Sequence, residues 1–436
     1  MTETVRADIA VVGAGPAGIA AAVAASRAGK RVALLDDSPR PGGNIWRNRE
    51  VSALPRSARA RFAELGRPEI SIFSGAGVFD VQSGFAILAE TSSGRLEVRA
   101  PRIVLATGAR EIFLPFPGWT LPGVVGVGGA QALLKTGADF SRSRAVVAGS
   151  GPLLLAVASA LAKAGARLAS VDEQAPSSRL RRFALGLAAS NPSRIWRAAL
   201  YRSEFAGTPY RAGTWVTRAE GADALERVFL TDGRREWREK CEILCTGYGL
   251  TPSTGLARLI GCRHADSFVE VDDLQQTSVP GVYCAGEPTG IGGVELALVE
   301  GEIAGLSAAG ADQSSLRSDG LRRKRATQRR FSVRLATAFA LRPELREIAR
   351  PDTLVCRCED VALARFDPSW TRRQAKLYTR AGMGPCQGRV CGPALQFLFG
   401  WREDTLRPPE RPVSLSSLVP GPDEISPDSQ ERIAVE

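Results

Sequence analysis

The chain has 436 residues, 44 % of them hydrophobic and 24 % charged, which is room for roughly two to four domains with large cores. Its eight cysteines are too sparse for a secreted disulfide scaffold and point to a reducing compartment. The net charge of +11 is mostly arginine, but its densest run, residues 317–334 with Arg322-Arg323-Lys324-Arg325, lacks the aromatic interleaving of a nucleic-acid surface and reads as a solvated helix face, a linker or a partner-docking surface.

No segment reads as a membrane span. The most apolar stretches, 9–25 and 146–162, each contain a glycine turn, and the first residues show no cleavage-site pattern. The expectation is a cytoplasmic protein that meets a membrane only through partners.

Residues 9–12 form a short apolar strand. The turn Gly13-Ala14-Gly15-Pro16-Ala17-Gly18 follows, then an alanine-rich helix over 16–28 that Gly29 closes, then a strand over 31–35 ending at Asp36. In such a βαβ unit Gly13 and Gly15 let the backbone approach a pyrophosphate, Gly18 lets helix and strand pack closely, and the helix N-terminus stabilises the anion. Asp36 stands where a carboxylate accepts ribose hydroxyls. A structural turn with no ligand is the bland alternative. Further on, 102–105 is a strand running into Ala106-Thr107-Gly108.

The unit recurs. Residues 145–148 are a strand, Gly149-Ser150-Gly151 a turn, 153–164 a helix, and 167–171 a strand before Asp172 and Glu173. Gly13 to Asp36 and Gly149 to Asp172 both span 23 positions. Two such motifs in register point to two dinucleotide-binding domains. The second is imperfect, because Leu154 stands where the third glycine belongs and should push helix and strand apart. Two readings stay open: an adenine nucleotide, ATP or NAD(P), held by Gly149, Gly151 and Asp172 or Glu173, or an empty structural domain.

Residues 242–244 are a strand running into Cys245-Thr246-Gly247. A strand with an acidic turn at Gly286-Glu287 comes next, and Gly290, Gly292 and Gly293 lead into a helix over 294–309. After the arginine-rich run come Cys356-Arg357-Cys358, 27 further residues, and then Cys386 and Cys391 with four residues between. Four thiolates so spaced suit an iron–sulfur cluster, and a structural zinc could use the same set. Cys245 and Cys284 read as small core residues, Cys241 and Cys262 show no partner, and His264 reads as structural. No CxxC lies beside either nucleotide domain. No residue pair suits the deprotonation of an amino acid, so no catalytic residue is assigned.

This order resembles the thioredoxin-reductase-like disulfide-reductase superfamily over about residues 5–310. The resemblance implies an α/β fold with two Rossmann-like domains. An FAD-binding domain comes from 1–118 and 246–310, with a degenerate second nucleotide-binding domain, 119–245, between. An arginine-rich helical linker, 311–349, a small helical [2Fe-2S] domain, 350–405, and a tail, 406–436, expected to be disordered at its end, complete the chain. The expected FAD contacts are Gly13, Gly15, Pro16, Ala17, Gly18, Asp36, Asp37, Gly43, Asn44, Val78, Thr107, Gly108, Gly286, Glu287 and Gly293. In the superfamily the late acidic turn, usually Asp, contacts the flavin ribityl chain and pyrophosphate; here it is Glu287.

Cys356-Arg357-Cys358-Glu359 and the stretch from Thr379-Arg380-Ala381-Gly382 to Cys391 resemble the bacterioferritin-associated-ferredoxin-like domain. That implies one [2Fe-2S] cluster on Cys356, Cys358, Cys386 and Cys391. With the phrases Pro41-Gly42-Gly43-Asn44-Ile45-Trp46-Arg47 and Leu114-Pro115-Phe116-Pro117-Gly118-Trp119, the chain resembles the alpha subunits of heteromeric bacterial FAD-dependent amino-acid dehydrogenases. This group holds proline and D-hydroxyproline dehydrogenases, opine oxidases and hydrogen cyanide synthase. Asn44 replaces the glutamine common at its position. The resemblance implies that a separate oxidase-like FAD beta subunit oxidises the substrate. A small ferredoxin-like [2Fe-2S] gamma subunit can join, and FMN can sit at a subunit interface. A flavin takes two electrons and can release them singly, so this chain is expected to be the electron-transfer subunit. The rivals are a self-sufficient NAD(P)H-dependent reductase and a non-enzymatic cluster-bearing scaffold.

Overall fold

A computed structural model describes residues 3–46, 51–311, 320–402 and 406–419. The expected disordered end, Arg47 of the first connecting phrase and positions 317–319 of the arginine run lie outside the described residues. The chain divides into two compact units. The first comprises 1–109, 252–329 and 406–436, the second 110–251 and 330–405.

The first unit is built on a five-stranded parallel sheet. Its order is Val282–Cys284, Ile103–Leu105, Ile9–Val12, Val32–Asp36 and Ile70–Ser74. The first four strands are fully buried, mostly apolar runs because both sheet faces are covered there, while the edge strand Ile70–Ser74 is half exposed. The alanine-rich helix Pro16–Arg27 packs on one face and is crossed by the helix Val294–Ala308. Small residues permit that crossing. A Cβ on Gly301 would lie 2.1 Å from the Ala17 carbonyl oxygen, and one on Gly305 would lie 2.2 Å from that of Ala21. A four-stranded sheet, Glu3–Arg6, Gly94–Arg99, Ala86–Thr91 and Gly77–Gln82, covers the other part of the unit's core. Residues 406–419, expected as part of a tail, belong here. The Glu410 amide donates to Phe79 O at 2.8 Å, and the Ser414 amide donates to Glu90 at 2.9 Å.

The second unit repeats the plan. Its parallel sheet runs Val124–Gly126, Ile243–Gly247, Arg144–Gly149, Arg167–Glu173 and Tyr210–Ala212, with a three-stranded antiparallel sheet of Trp215–Glu220, Arg227–Thr231 and Glu236–Lys240. The unit starts at 110 rather than the expected 119, because Leu114 and Phe116 sink into its core beside Val146 and Trp215. The cysteine module, expected as its own domain, packs into the same unit. Leu345 and Ile348 join that core, with Val390 and Phe397 against it, and the Trp119 indole donates to Leu354 O at 2.6 Å. Among the described residues no helix is long and apolar enough to cross a membrane.

Candidate functional site

In the first unit, the strand ends bring the expected cofactor turns together. Ala106 N donates to Val12 O at 2.8 Å, Ala285 N to Leu105 O at 3.0 Å, and Gly42 N to Ala14 O at 2.7 Å. The glycines separate by role. A Cβ on Gly13, at φ +102°, would lie 2.3 Å from Ala106 O, and one on Gly18 would lie 1.7 Å from Gly13 O. The fold itself therefore demands those two. Gly15 is different. Its φ of −76° is open to any residue, and the nearest atom to its Cβ would be Gly43 Cα at 4.0 Å. Packing leaves the space over Gly15 unfilled.

Gly15 also precedes a helix with no side-chain cap, and Pro16 at its first position carries no N–H. The first-turn amides of Ala17 and Gly18 have no intrahelical acceptor. An open space edged by such amides fits a pyrophosphate. Gly43, at φ +54°, approaches from the other side; its own Cβ would lie 2.9 Å from Gly15 Cα.

The other expected contacts divide. Gly108 has φ +70° and open space beside it, and Thr107 Oγ1 donates to Ser253 O. Both carboxylate oxygens of Asp36 hold the turn: one accepts the Ala14 amide, the other the Ser38 amide at 2.8 Å. Asp37 is exposed and lies 3.3 Å from Arg411. Asn44 is exposed on the short helix Gly43–Trp46, and Val78 is buried in its strand. Glu287 folds onto its own loop and accepts the amides of Gly292 at 3.1 Å and Gly293 at 3.0 Å. Burial pushes its carboxyl above the ordinary range.

Sequence reasoning missed Glu300 and Arg329. Glu300 is wholly buried. It accepts Gly286 N at 3.0 Å and Thr289 Oγ1 at 2.7 Å, and Arg329 lies 2.9 Å away. Its place on the apolar face with Leu296, Ala297, Ile303 and Ala304, away from Glu295 and Glu302, was the available signal. The arginine run is accordingly not one solvated face. Arg322 and Arg325 both pair with Asp273, and Arg325 is only 6 % exposed.

In the second unit the equal spacing of 23 misleads. The strand register shifts between Ala145 and Val146, so Gly149 lies opposite Glu173 and not Asp172. Glu173 does what Asp36 does: it accepts Gly151 N at 2.7 Å and Ala175 N at 2.8 Å. Asp172 is buried, bonded to Ser170 and 3.5 Å from Arg211. Burial pushes Asp172 up to about 6 and Glu173 up to about 7. Gly149 is structural, since its Cβ would lie 1.9 Å from Gly247 O, while Gly151 has open space beside it. Leu154 is buried in the core with Val147, Val157 and Val171.

The cysteine module places Cys356 at the end of strand Leu354–Cys356 and Cys391 at the start of helix Cys391–Phe399. Both are buried, Cys386 is half-buried and Cys358 exposed. The thiols influence one another's titration as two pairs, Cys356 with Cys391 and Cys358 with Cys386. The Cys391 thiol and the amides of Gly382, Glu359 and Cys358 hold Cys356 down to about 6. Gly384 allows the loops to meet: its Cβ would lie 2.4 Å from Cys358 Cβ. Among the described residues no three His, Cys, Asp or Glu side chains are grouped as a metal site. The four cysteines nevertheless share one module, two of them buried, one half-buried and one exposed.

The remaining cysteines are buried, and Cys262 bonds Thr277 Oγ1 at 3.4 Å. His264 Nδ1 lies 2.8 Å from Cys262 O, and burial lowers its pKa.

Residues 7–303 match the family described as pyridine nucleotide-disulphide oxidoreductase. The chain is 34 % identical to hydrogen cyanide synthase subunit HcnB of Pseudomonas aeruginosa (strain ATCC 15692), over 91 % of this chain and 92 % of that protein. It is 33 % identical to an opine oxidase subunit of Rhizobium meliloti (strain 1021), over 94 % of this chain and 98 % of that protein. Among solved structures, L-proline dehydrogenase from P. horikoshii is similar at a TM-score of 0.67 and 22 % identity, covering 96 % of this chain and 81 % of that one. At that identity the likeness speaks for the fold alone.

Proposed function

Because the chain belongs to the pyridine nucleotide-disulphide oxidoreductase family and is an oxidoreductase, we propose that it is the electron-transfer subunit of a heteromeric amino- or imino-acid dehydrogenase of the D-hydroxyproline, proline or opine type. FAD is held by the first unit and a [2Fe-2S] centre by Cys356, Cys358, Cys386 and Cys391. The observation that carries this reading is the pairing, on one chain, of the unfilled cradle over Gly15 with a four-sulfur module. When bound, the flavin supplies two-electron uptake and the cluster one-electron release.

The chain's own residues bind and orient. The amides of Gly15, Ala17 and Gly18 face the pyrophosphate. Asp36 fixes the turn that carries them, and Glu300 fixes the turn at Gly286. The amides of Glu359 and Gly382 favour a thiolate at Cys356. Substrate oxidation falls to an oxidase-like FAD partner, a division that the naming of the matched relatives as subunits supports. A ferredoxin-like third subunit, with FMN at the subunit interface, completes the assembly.

The test is dye reduction with proline, hydroxyproline and opines, by the chain alone and by its copurified complex. Activity in the complex only is expected. Robust amino-acid dehydrogenation by the isolated chain would overturn the subunit reading.

A further inference from the structure

The family implies a pyridine nucleotide in the second unit, and the residues there do not fit one. We infer that this nucleotide fold takes the chain's own residues 339–342 in place of a dinucleotide, and uses them to tether the cysteine module.

Three of the amides at the turn that would face a pyrophosphate are already spent. Ser150 N donates to Gly247 O at 2.7 Å, Gly151 N to Glu173 at 2.7 Å, and Leu154 N to Gly151 O at 3.1 Å, while Pro152 has no N–H. In the first unit, the Ala14 amide is likewise held by Asp36, and Ala17 and Gly18 have no intrahelical acceptor; in the second unit Leu153, the counterpart of Ala17, has none either, so the turn alone does not exclude a phosphate.

A strap then crosses the gap between the turn and the end of strand Arg167–Glu173. Ser150 Oγ donates to Phe339 O at 2.9 Å. Gln174, wholly buried, donates to Ala340 O at 3.3 Å and accepts the Arg342 amide at 3.1 Å. Arg342 lies 3.8 Å over the Trp215 ring and donates to Gly213 O at 3.3 Å. This gap is where an adenosine ribose reaches the acid at the strand end. Both Glu173 oxygens are already bonded. Space remains beside Gly151, so the strap blocks the adenosine half and not the whole turn.

The same strap runs directly into the sulfur module. It continues into the turn Pro343–Arg346, and Leu345 and Ile348 are buried with Trp215 and Val146. Leu354, held by Trp119, then leads to Cys356. A dinucleotide site has become a dock for the linker. The inference deepens the electron-transfer reading by removing NAD(P)H as the electron source, but its geometry does not depend on that reading.

The experiment titrates NADH, NADPH and ATP into the flavin-loaded full chain by calorimetry, with amide exchange followed at 149–154 and 339–342. No saturable heat, no flavin bleaching and unchanged exchange are expected. Saturable binding with protection at 149–154, or with release of 339–342, overturns the inference. The double variant Ser150→Ala/Gln174→Ala should speed exchange at 339–342 by about tenfold, from the lost hydrogen bonds, and speed it at 354–356 as well. Unchanged exchange at 354–356 in a folded variant overturns the tether. If the variant does not fold, the wild-type titration still decides. Nucleotide binding with intact partner-dependent oxidation would sink this inference and leave the proposed function standing.

Discussion

Arg329 lies 2.9 Å from the wholly buried carboxylate of Glu300, which itself accepts the amide of Gly286 at 3.0 Å. The pair therefore fixes the backbone of the acidic turn from behind. A buried carboxylate that loses its cation keeps its desolvation cost, so removing one partner is more damaging than the pair's net worth suggests.

Arg329→Met should cost about 1–3 kcal/mol, the penalty of an unpaired buried group discounted for the half-open arginine. Flavin should be released at lower urea than in wild type, followed by flavin fluorescence. Glu300→Gln keeps an oxygen for Gly286 or Thr289 and should be milder than Glu300→Ala. Equal flavin release by Arg329→Met and wild type would remove the pair from any positioning role.

The glycine cradle allows fold and ligand to be tested separately. Gly15→Val should fold, because φ is −76° and the nearest atom to a Cβ is 4.0 Å away, yet it should purify colourless because the side chain fills the pyrophosphate space. Gly13→Ala should fail to fold well, since its Cβ would lie 2.3 Å from Ala106 O at φ +102°. Full flavin occupancy with a folded Gly15→Val chain would contradict the assignment.

Much of this was legible beforehand, and the misses have physical causes. The two βαβ units follow from apolar runs broken by glycine turns, since strand, turn and helix are set locally there. The choice between Asp172 and Glu173 was not legible, because a one-residue shift beside Ala145 leaves no mark in residue types. Nor was the closeness of helices Pro16–Arg27 and Val294–Ala308 read out, although Gly301 and Gly305 carry it at a spacing of four. The role of Arg329 was hidden in a charged run, where a buried pairing and a solvated face look alike. Cys356 and Cys391 were matched by spacing, which is set by two loops and not by any periodicity.

Anaerobically purified protein should hold about two irons and two sulfides per chain, as a four-thiolate [2Fe–2S] set requires. Cys391→Ser should lose most of that iron, because Cys391 is buried beside Cys356. Cys245→Ser, in the core of the nucleotide fold, should keep it. Stoichiometric zinc with no visible cluster absorbance would replace the iron–sulfur assignment by a structural metal.

The pair at the end of strand Arg167–Glu173 predicts how the second unit responds to pH. Burial raises Glu173 from its ordinary 4.5 to about 7, against the pull of two amide hydrogen bonds. A carboxyl raised by folding binds its proton more tightly in the native state. Its contribution is therefore full below about pH 4.5 and is lost as the pH rises through about 7. Asp172, raised from 3.8 to about 6, acts in the same direction over a lower window. The loss from Glu173 should be on the order of 2–3 kcal/mol between pH 5 and 8. Six of the seven tryptophans lie in this unit, so their fluorescence reports its urea unfolding. The wild-type midpoint should be lower at pH 8 than at pH 5. Glu173→Gln cannot ionise and should lose the larger part of that difference, which separates it from the general effect of net charge. A variant with the full wild-type pH dependence would show that Glu173 is ionised throughout and that its two amide bonds outweigh burial.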